Sequence, residues 1–403
     1  MNENYLQMKK KILKICFIIF NITSLFLFCI LMYKNLIFFF GDQLQYHIYN
    51  SDYFINYSSG FVKRGLDGDV LLSLTKIFNL PPLTILRIFY GFAFVALSGI
   101  IARIMMVLKI PFFYLFSAFF FLFPFVYFSI FHLSKDIEML VIAFFIMQIT
   151  VKTKKEWIRF SLFNILMIFG ILIHEALFIF MFFPLFVSSV FYSGKGDFKK
   201  KIIYFIILIS PSVLAFMLMS FLYNGQQNNI ELIYNSWKPY QSSLHHIEFN
   251  TGLFDGNLRP INGLLKKWYN FAGLGVLVVA NFLFITCGAY LYFKKHFFSI
   301  LIISLFQIIP ILLVCYIASD FGRWFFISNV LVLFFAFHIR NFSAVDFRLN
   351  FKKIEPNILN FYQNYSAIII LLLVVFGGMP YLGCDQYFLY SNPFYKLFLI
   401  YKG

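Results

Sequence analysis

Apolar blocks long enough to span a bilayer recur along the whole chain, and short basic runs separate them. Residues 202–223 and 297–318 each form such a block without a single charged side chain. A run of about twenty apolar residues crosses a hydrocarbon core as one helix. A soluble helix would instead set apolar positions at helical spacing with polar ones between them. Of the 403 residues 61% are hydrophobic and 12% charged, the latter about half the charged share of an ordinary soluble domain. The pattern therefore predicts an all-α, polytopic integral membrane protein forming one transmembrane domain over residues 1–403.

The formal charge of +16 does not point to nucleic acid, because its distribution follows topology. Basic residues gather between the apolar blocks at Lys9–Lys14, Lys152–Arg159, Lys195–Lys201, Lys294–Lys295 and Arg340–Lys353. Cytoplasmic loops accumulate Lys and Arg in this way. Starting inside, with the apolar run 12–32 read as a retained first helix rather than a signal peptide, the chain threads about eleven spans. Expected helices include residues 83–107, 137–151, a hairpin between Arg159 and Lys195, 202–223, 271–293 and one unbroken span over 297–318. The last is expected at 367–382, after a cytoplasmic segment (340–365) containing Pro356. This places the N-terminus in the cytoplasm, the C-terminus outside, and two long segments, 34–82 and 224–268, on the outer face. Nineteen of the 33 Lys and Arg residues fall inside, while twelve of the 17 acids fall outside. Acids contribute little to orientation, so their outward bias suggests chemistry on that face. The five cysteines are scattered singly, with no disulfide or zinc spacing.

Ionisable groups held near hydrocarbon are functional candidates by default, and the outer segments carry five clusters. The first is Gly60-Phe61-Val62-Lys63-Arg64-Gly65-Leu66-Asp67-Gly68-Asp69. Its glycines permit close backbone approach, Lys63 and Arg64 suit a phosphate, and Asp67 and Asp69 suit a hydroxyl or a proton. The second and third are hairpin tips, His132 to Asp136 with Lys135 and Glu138, and His174-Glu175. Short arms around His174 would sink that pair below the surface, where a carboxylate or imidazole can serve as a general base. The fourth is the large loop with Trp237, His245-His246 and Arg259; the fifth is Asp320-Phe321-Gly322-Arg323-Trp324. Adjacent histidines diverge and have no third ligand at a defining spacing, so neither a metal nor another cofactor is expected. Cations for an anion, carboxylates for proton work and aromatics for sugar rings together fit a lipid-linked glycan. There is no P-loop or Rossmann fingerprint for a nucleotide.

With that architecture, the chain resembles the bacterial O-antigen and capsule repeat-unit polymerases (Wzy type). The likeness lies in length, span number, one enlarged outer loop and outer arginines, and Arg259 with Gly275 matches an arginine–glycine spacing found in some members. The Gly60-to-Leu66 run also resembles a glycine- and arginine-containing segment of membrane proteins from surface-polysaccharide clusters. The resemblance implies a helical bundle like the GT-C class in the bacterial cytoplasmic membrane. It further implies an undecaprenyl-pyrophosphate-linked oligosaccharide substrate, membrane lipid and a chain-length regulator as partners, and no metal. Carried over by residue type, Lys63, Arg64, Lys135, Arg259, Arg323, Trp237 and Trp324 would hold pyrophosphate or glycan. Asp67, Asp69, Asp136, His174, Glu175 and Asp320 would be the catalytic candidates. Two alternatives stay open: a transferase adding one sugar from a polyprenyl-phosphate donor, and a lipid-linked oligosaccharide flippase.

Overall fold

The computed structural model describes residues 53–58, 65–110, 135–192, 197–221, 227–243, 268–317, 321–340, 342 and 355–376, with scattered helical positions between Ile15 and Tyr33. The ordered elements are helical, and no strand occurs among the described residues. Counted from the first helix with described bounds, they are α1 (Gly65–Phe78), α2 (Pro82–Leu108), α3 (Asp136–Lys152), α4 (Glu156–Ile173), α5 (Ala176–Phe191), α6 (Phe198–Phe221), α7 (Gln227–Trp237), α8 (Trp268–Tyr292), α9 (Phe297–Phe306), α10 (Ile308–Ile317), α11 (Phe321–Ile339) and α12 (Glu355–Phe376).

Among the described residues, four stretches are long and apolar enough to cross a membrane: Pro82–Leu108, Glu156–Ile173, Phe198–Met219 and Lys294–Val314. Shorter apolar helices, Ala176–Phe191, Val278–Tyr292 and Trp324–Ile339, stand among them. Large side chains such as Phe92, Ile165, Ile207 and Leu313 point outward from these helices. An apolar exterior of this kind is unfavourable in water and suited to lipid.

The bundle is organised around α3, which packs against α2, α4, α5 and α11. Helix α11 is its most enclosed wall, with every side chain from Trp324 to Ile339 buried. Because α3 and α4 form an antiparallel hairpin, and α5 and α11 run alongside, the bundle has two chemically distinct ends. One end collects Asp136, Glu138, His174, Glu175 and Trp324. The other collects Lys152, His296, His338 and Arg340. The seventeen residues of α3 separate them, a rise of about 25 Å.

Proline in apolar helices leaves carbonyls that must find other donors. Pro184 deprives the Phe180 carbonyl of its usual N–H, and Gln307 Nε2 donates to that oxygen at 2.8 Å. Pro211 does the same to Ile207, whose carbonyl accepts from Ser210 Oγ at 2.9 Å. Interhelical polar contacts add further joints. Asn164 Nδ2 donates to the Leu208 carbonyl, Ser212 Oγ donates to Asn164 Oδ1, and Asn329 Nδ2 donates to Asn281 Oδ1.

Two sequence expectations change and a third gains detail. The span expected over 297–318 is present as Lys294–Val314, within which α9 and α10 meet at Gln307, with Pro310 just beyond. A proline there lacks an N–H and crowds the carbonyl four residues back, so the turn opens. The last helix begins at Glu355 rather than near residue 367. Pro356 lies in its first turn, where the missing N–H is an orphan in any case. Finally, both long segments expected on the outer face contain helix, α1 in the first and α7 in the second. Helix α1 ends at Asn79 (φ 51°), in the left-handed conformation typical of a helix terminus, and Pro82 opens α2.

Candidate functional site

The carboxylate end is assembled from three parts of the chain that lie far apart in sequence. Helix α1 carries Asp67 in its first turn, where an acid is favoured by the helix dipole. Helix α3 opens with Lys135 as its cap and Asp136 and Glu138 in its first turn. The turn between α4 and α5 supplies His174 and Glu175. Asp67, Lys135, Asp136, Glu138 and His174 are all at most 5% exposed.

Charges this deeply buried persist only when paired. Lys135 Nζ lies 3.2 Å from Asp67 Oδ2 and 5.5 Å from the centre of the Tyr53 ring. The Tyr53 hydroxyl sits 3.0 Å from both carboxylate oxygens of Glu138, donating to that group. Burial, and next the negative charge of Glu138, hold the Tyr53 phenol well above its ordinary value, so it is a neutral donor. Tyr53, Asp67, Lys135 and Glu138 thus form one connected frame, in which Lys135 pairs with Asp67 and the Tyr53 hydroxyl serves Glu138.

The segment bearing Tyr53 is fixed from two sides. Trp237 Nε1 donates to the Phe54 carbonyl at 2.8 Å, and the two rings meet edge-on. Asn56 Nδ2 donates to Ser236 Oγ at 2.8 Å. From below, α1 passes so close that a Cβ at Gly68 would collide with the Ile55 carbonyl. That crossing requires glycine.

His174 is held in one orientation. The Ala176 N–H donates to its Nδ1 at 3.2 Å, which leaves Nε2 to carry the proton of the neutral ring. Nε2 then faces Asp136 Oδ1 at 3.9 Å. Glu175 Oε2 stands 3.8 Å from Nδ1, and at 27% exposure Glu175 is the open carboxylate of this group. Asp69, two residues after Asp67 and so about 200° around α1, is also partly exposed. The close turn depends on Gly170, where a Cβ would strike the Leu177 side chain.

No family model, curated protein or solved structure matches the chain. The chemistry must be read from the site itself.

Asp67, Asp69, Lys135, Asp136, His174, Glu175 and Trp324 come to the same end of the bundle, with Trp237 behind Tyr53. The two tryptophans are wall residues. Trp237 is 1% and Trp324 is 3% exposed, and Trp324 stacks on Phe180 with its edge towards His174. Neither presents a face on which a sugar could stack. Lys63, Arg64, Arg259, Asp320, His245 and His246 lie outside the described residues, as does the side chain of Arg323. Among the described residues, no group of three or more His, Cys, Asp and Glu is arranged to hold a metal. Nothing along the chain marks Tyr53, one tyrosine among 25. Glu138 was visible beside Asp136, but its partner was not.

Proposed function

We propose that the chain is a membrane glycosyltransferase that elongates a lipid-linked glycan at the carboxylate end, joining undecaprenyl-pyrophosphate-linked repeat units at the outer face of a bacterial cytoplasmic membrane. The observation that carries this reading is the convergence of buried, interconnected ionic groups beside a partly exposed carboxylate, Glu175, at the end of an apolar bundle. A lipid-linked donor keeps its tail in the hydrocarbon and presents its reacting carbon at this level.

In the proposed step, Glu175 takes the proton from an acceptor sugar hydroxyl. The resulting oxygen attacks the anomeric carbon, and the bond from that carbon to the pyrophosphate oxygen breaks. The leaving pyrophosphate keeps the electron pair and needs positive charge beside it, for which the outer basic residues Lys63, Arg64, Arg259 and Arg323 are the sequence candidates. His174 and Asp136 orient the turn that bears Glu175. Asp69 is the second accessible carboxylate and the alternative base.

A second reading has its own support. Asp67 and Asp69 come from the first outer segment, and an acid there suits a transferase adding one sugar from a polyprenyl-monophosphate donor. Deleting the gene in its host and analysing the surface glycan separates the readings. The polymerase reading expects single repeat units in place of chains. A glycan lacking one sugar would favour the single-sugar transferase, and a surface devoid of repeats would favour a flippase and overturn both.

A further inference from the structure

At the opposite end of the bundle an apolar cleft opens between α8, α9 and α11, beside the turn that follows α2. Ile285, Tyr292, Phe293, Ile300, Val332 and Ala336 contribute to its lining. On α8 the lining runs from Tyr292 back to Phe284, and on α11 from Ala336 back to Asn329. The cleft therefore extends about two helical turns, roughly 10 Å, into the bundle.

Its rim is cationic. Ile110 and Phe293, both in the lining, are followed or preceded directly by Lys294 and Lys109, and Lys295 is next in the chain. Arg340 lies one turn beyond Ala336, and its backbone hydrogen-bonds the His296 side chain, which ties the end of α11 to the Lys294–His296 turn. Arg103 lies close enough for its charge to act on Arg340. Lys109, Lys294 and Lys295 are exposed, and among the described residues none of these basic groups forms an ion pair with a carboxylate. Topology alone explains basic residues at an inner end. It does not explain a deep apolar cleft opening inside their ring.

We propose that this cleft binds one acyl chain of an anionic phospholipid, whose phosphate lies against Lys109, Lys294, Lys295 and Arg340. Two features select this occupant. An apolar slot among membrane helices suits a hydrocarbon chain, and a rim of exposed lysines suits an anionic headgroup on the cytoplasmic leaflet. The site is about a bundle's length from the carboxylate end and does not depend on the reaction proposed there.

The test uses the purified full-length chain in neutral detergent, with lipid binding read by native mass spectrometry and thermal shift. Phosphatidylglycerol is expected to bind at least about tenfold more tightly than phosphatidylcholine of the same chains, and glycerol 3-phosphate should neither bind nor compete. Removing two rim charges in the double variant Lys294→Gln/Lys295→Gln should weaken phosphatidylglycerol roughly twenty- to thirtyfold, at about fivefold per charge. Gly288→Leu, which narrows the cleft, should weaken it while leaving the rim intact. Equal binding of phosphatidylcholine would mean ordinary lipid contact and overturn the proposal. Effective competition by glycerol 3-phosphate would mean an anion site without a role for the cleft, and would also overturn it. The charge variant alters two exposed side chains, so it remains informative even if Gly288→Leu fails to fold.

Discussion

The two ends of the bundle hold ionisable groups in opposite ways. At the carboxylate end, Asp67, Lys135, Asp136, Glu138 and His174 are buried, with Lys135 3.2 Å from Asp67 and His174 facing Asp136 at 3.9 Å. At the basic end, lysines stand in the open, and the ion pair formed there, Arg159 with Glu156, spans 4.0 Å with Glu156 77% exposed. Buried ionic groups must be matched in number and geometry because no water can complete their solvation. Exposed ones need only the right sign. The first arrangement therefore suits chemistry at defined positions, while the second suits orientation in a membrane and attraction to a charged surface.

The comparison assumes that the ends face opposite sides of a membrane, an all-or-none matter. Reporter fusions after Gln241 should read outside, and fusions after Lys155 or Lys200 should read inside. A cytoplasmic reading at Gln241 would collapse the distinction between the ends. The largest graded effect is expected at Glu175. Glu175→Gln should lower glycan transfer by about 10²–10⁴-fold, the usual contribution of a general base, with membrane abundance unchanged. If transfer persists, Asp69→Asn becomes the decisive variant.

Breaking the buried pair should act on stability. Lys135→Met leaves Asp67 charged and unpaired, at a cost of about 3–5 kcal/mol, whereas Lys135→Met/Asp67→Leu should recover most of it. Thermal unfolding in detergent measures both. A single variant as stable as the parent would show that Asp67 is solvated. Tyr53→Phe should cost less, about 1–3 kcal/mol, by removing the hydroxyl that serves Glu138. The smallest effect belongs to the open end. Glu156→Gln should change stability by less than about 0.5 kcal/mol, and a larger loss there would erase the contrast.

Much of this was legible from the chain alone, for a specific reason. Apolar block length and basic punctuation follow from the thickness of hydrocarbon and from the charge bias of loops. Helices such as Pro82–Leu108 and the hairpin turning at His174 were placed to within a few residues. The same logic misread Pro356, because a proline is equally at home before a helix and in its first turn. It placed the span over Lys294–Val314 but not the turn at Gln307 within it, since an apolar run does not reveal where a helix is punctuated.

The sequence by itself determined that the chain is helical and apolar enough for a membrane, and that its acids concentrate in a few segments. It determined too which residue types could do chemistry there. Only the tertiary structure decided which of them meet. Lys135 closes on Asp67 and Tyr53 on Glu138 across separations that no helical or strand period links, so no pattern along the chain could pair them. Tertiary packing also turned Trp237 and Trp324 into walls and left Glu175 open. Exposure is a property of neighbours, and neighbours are set when α1, α3, the α4–α5 turn and α11 pack together at one end.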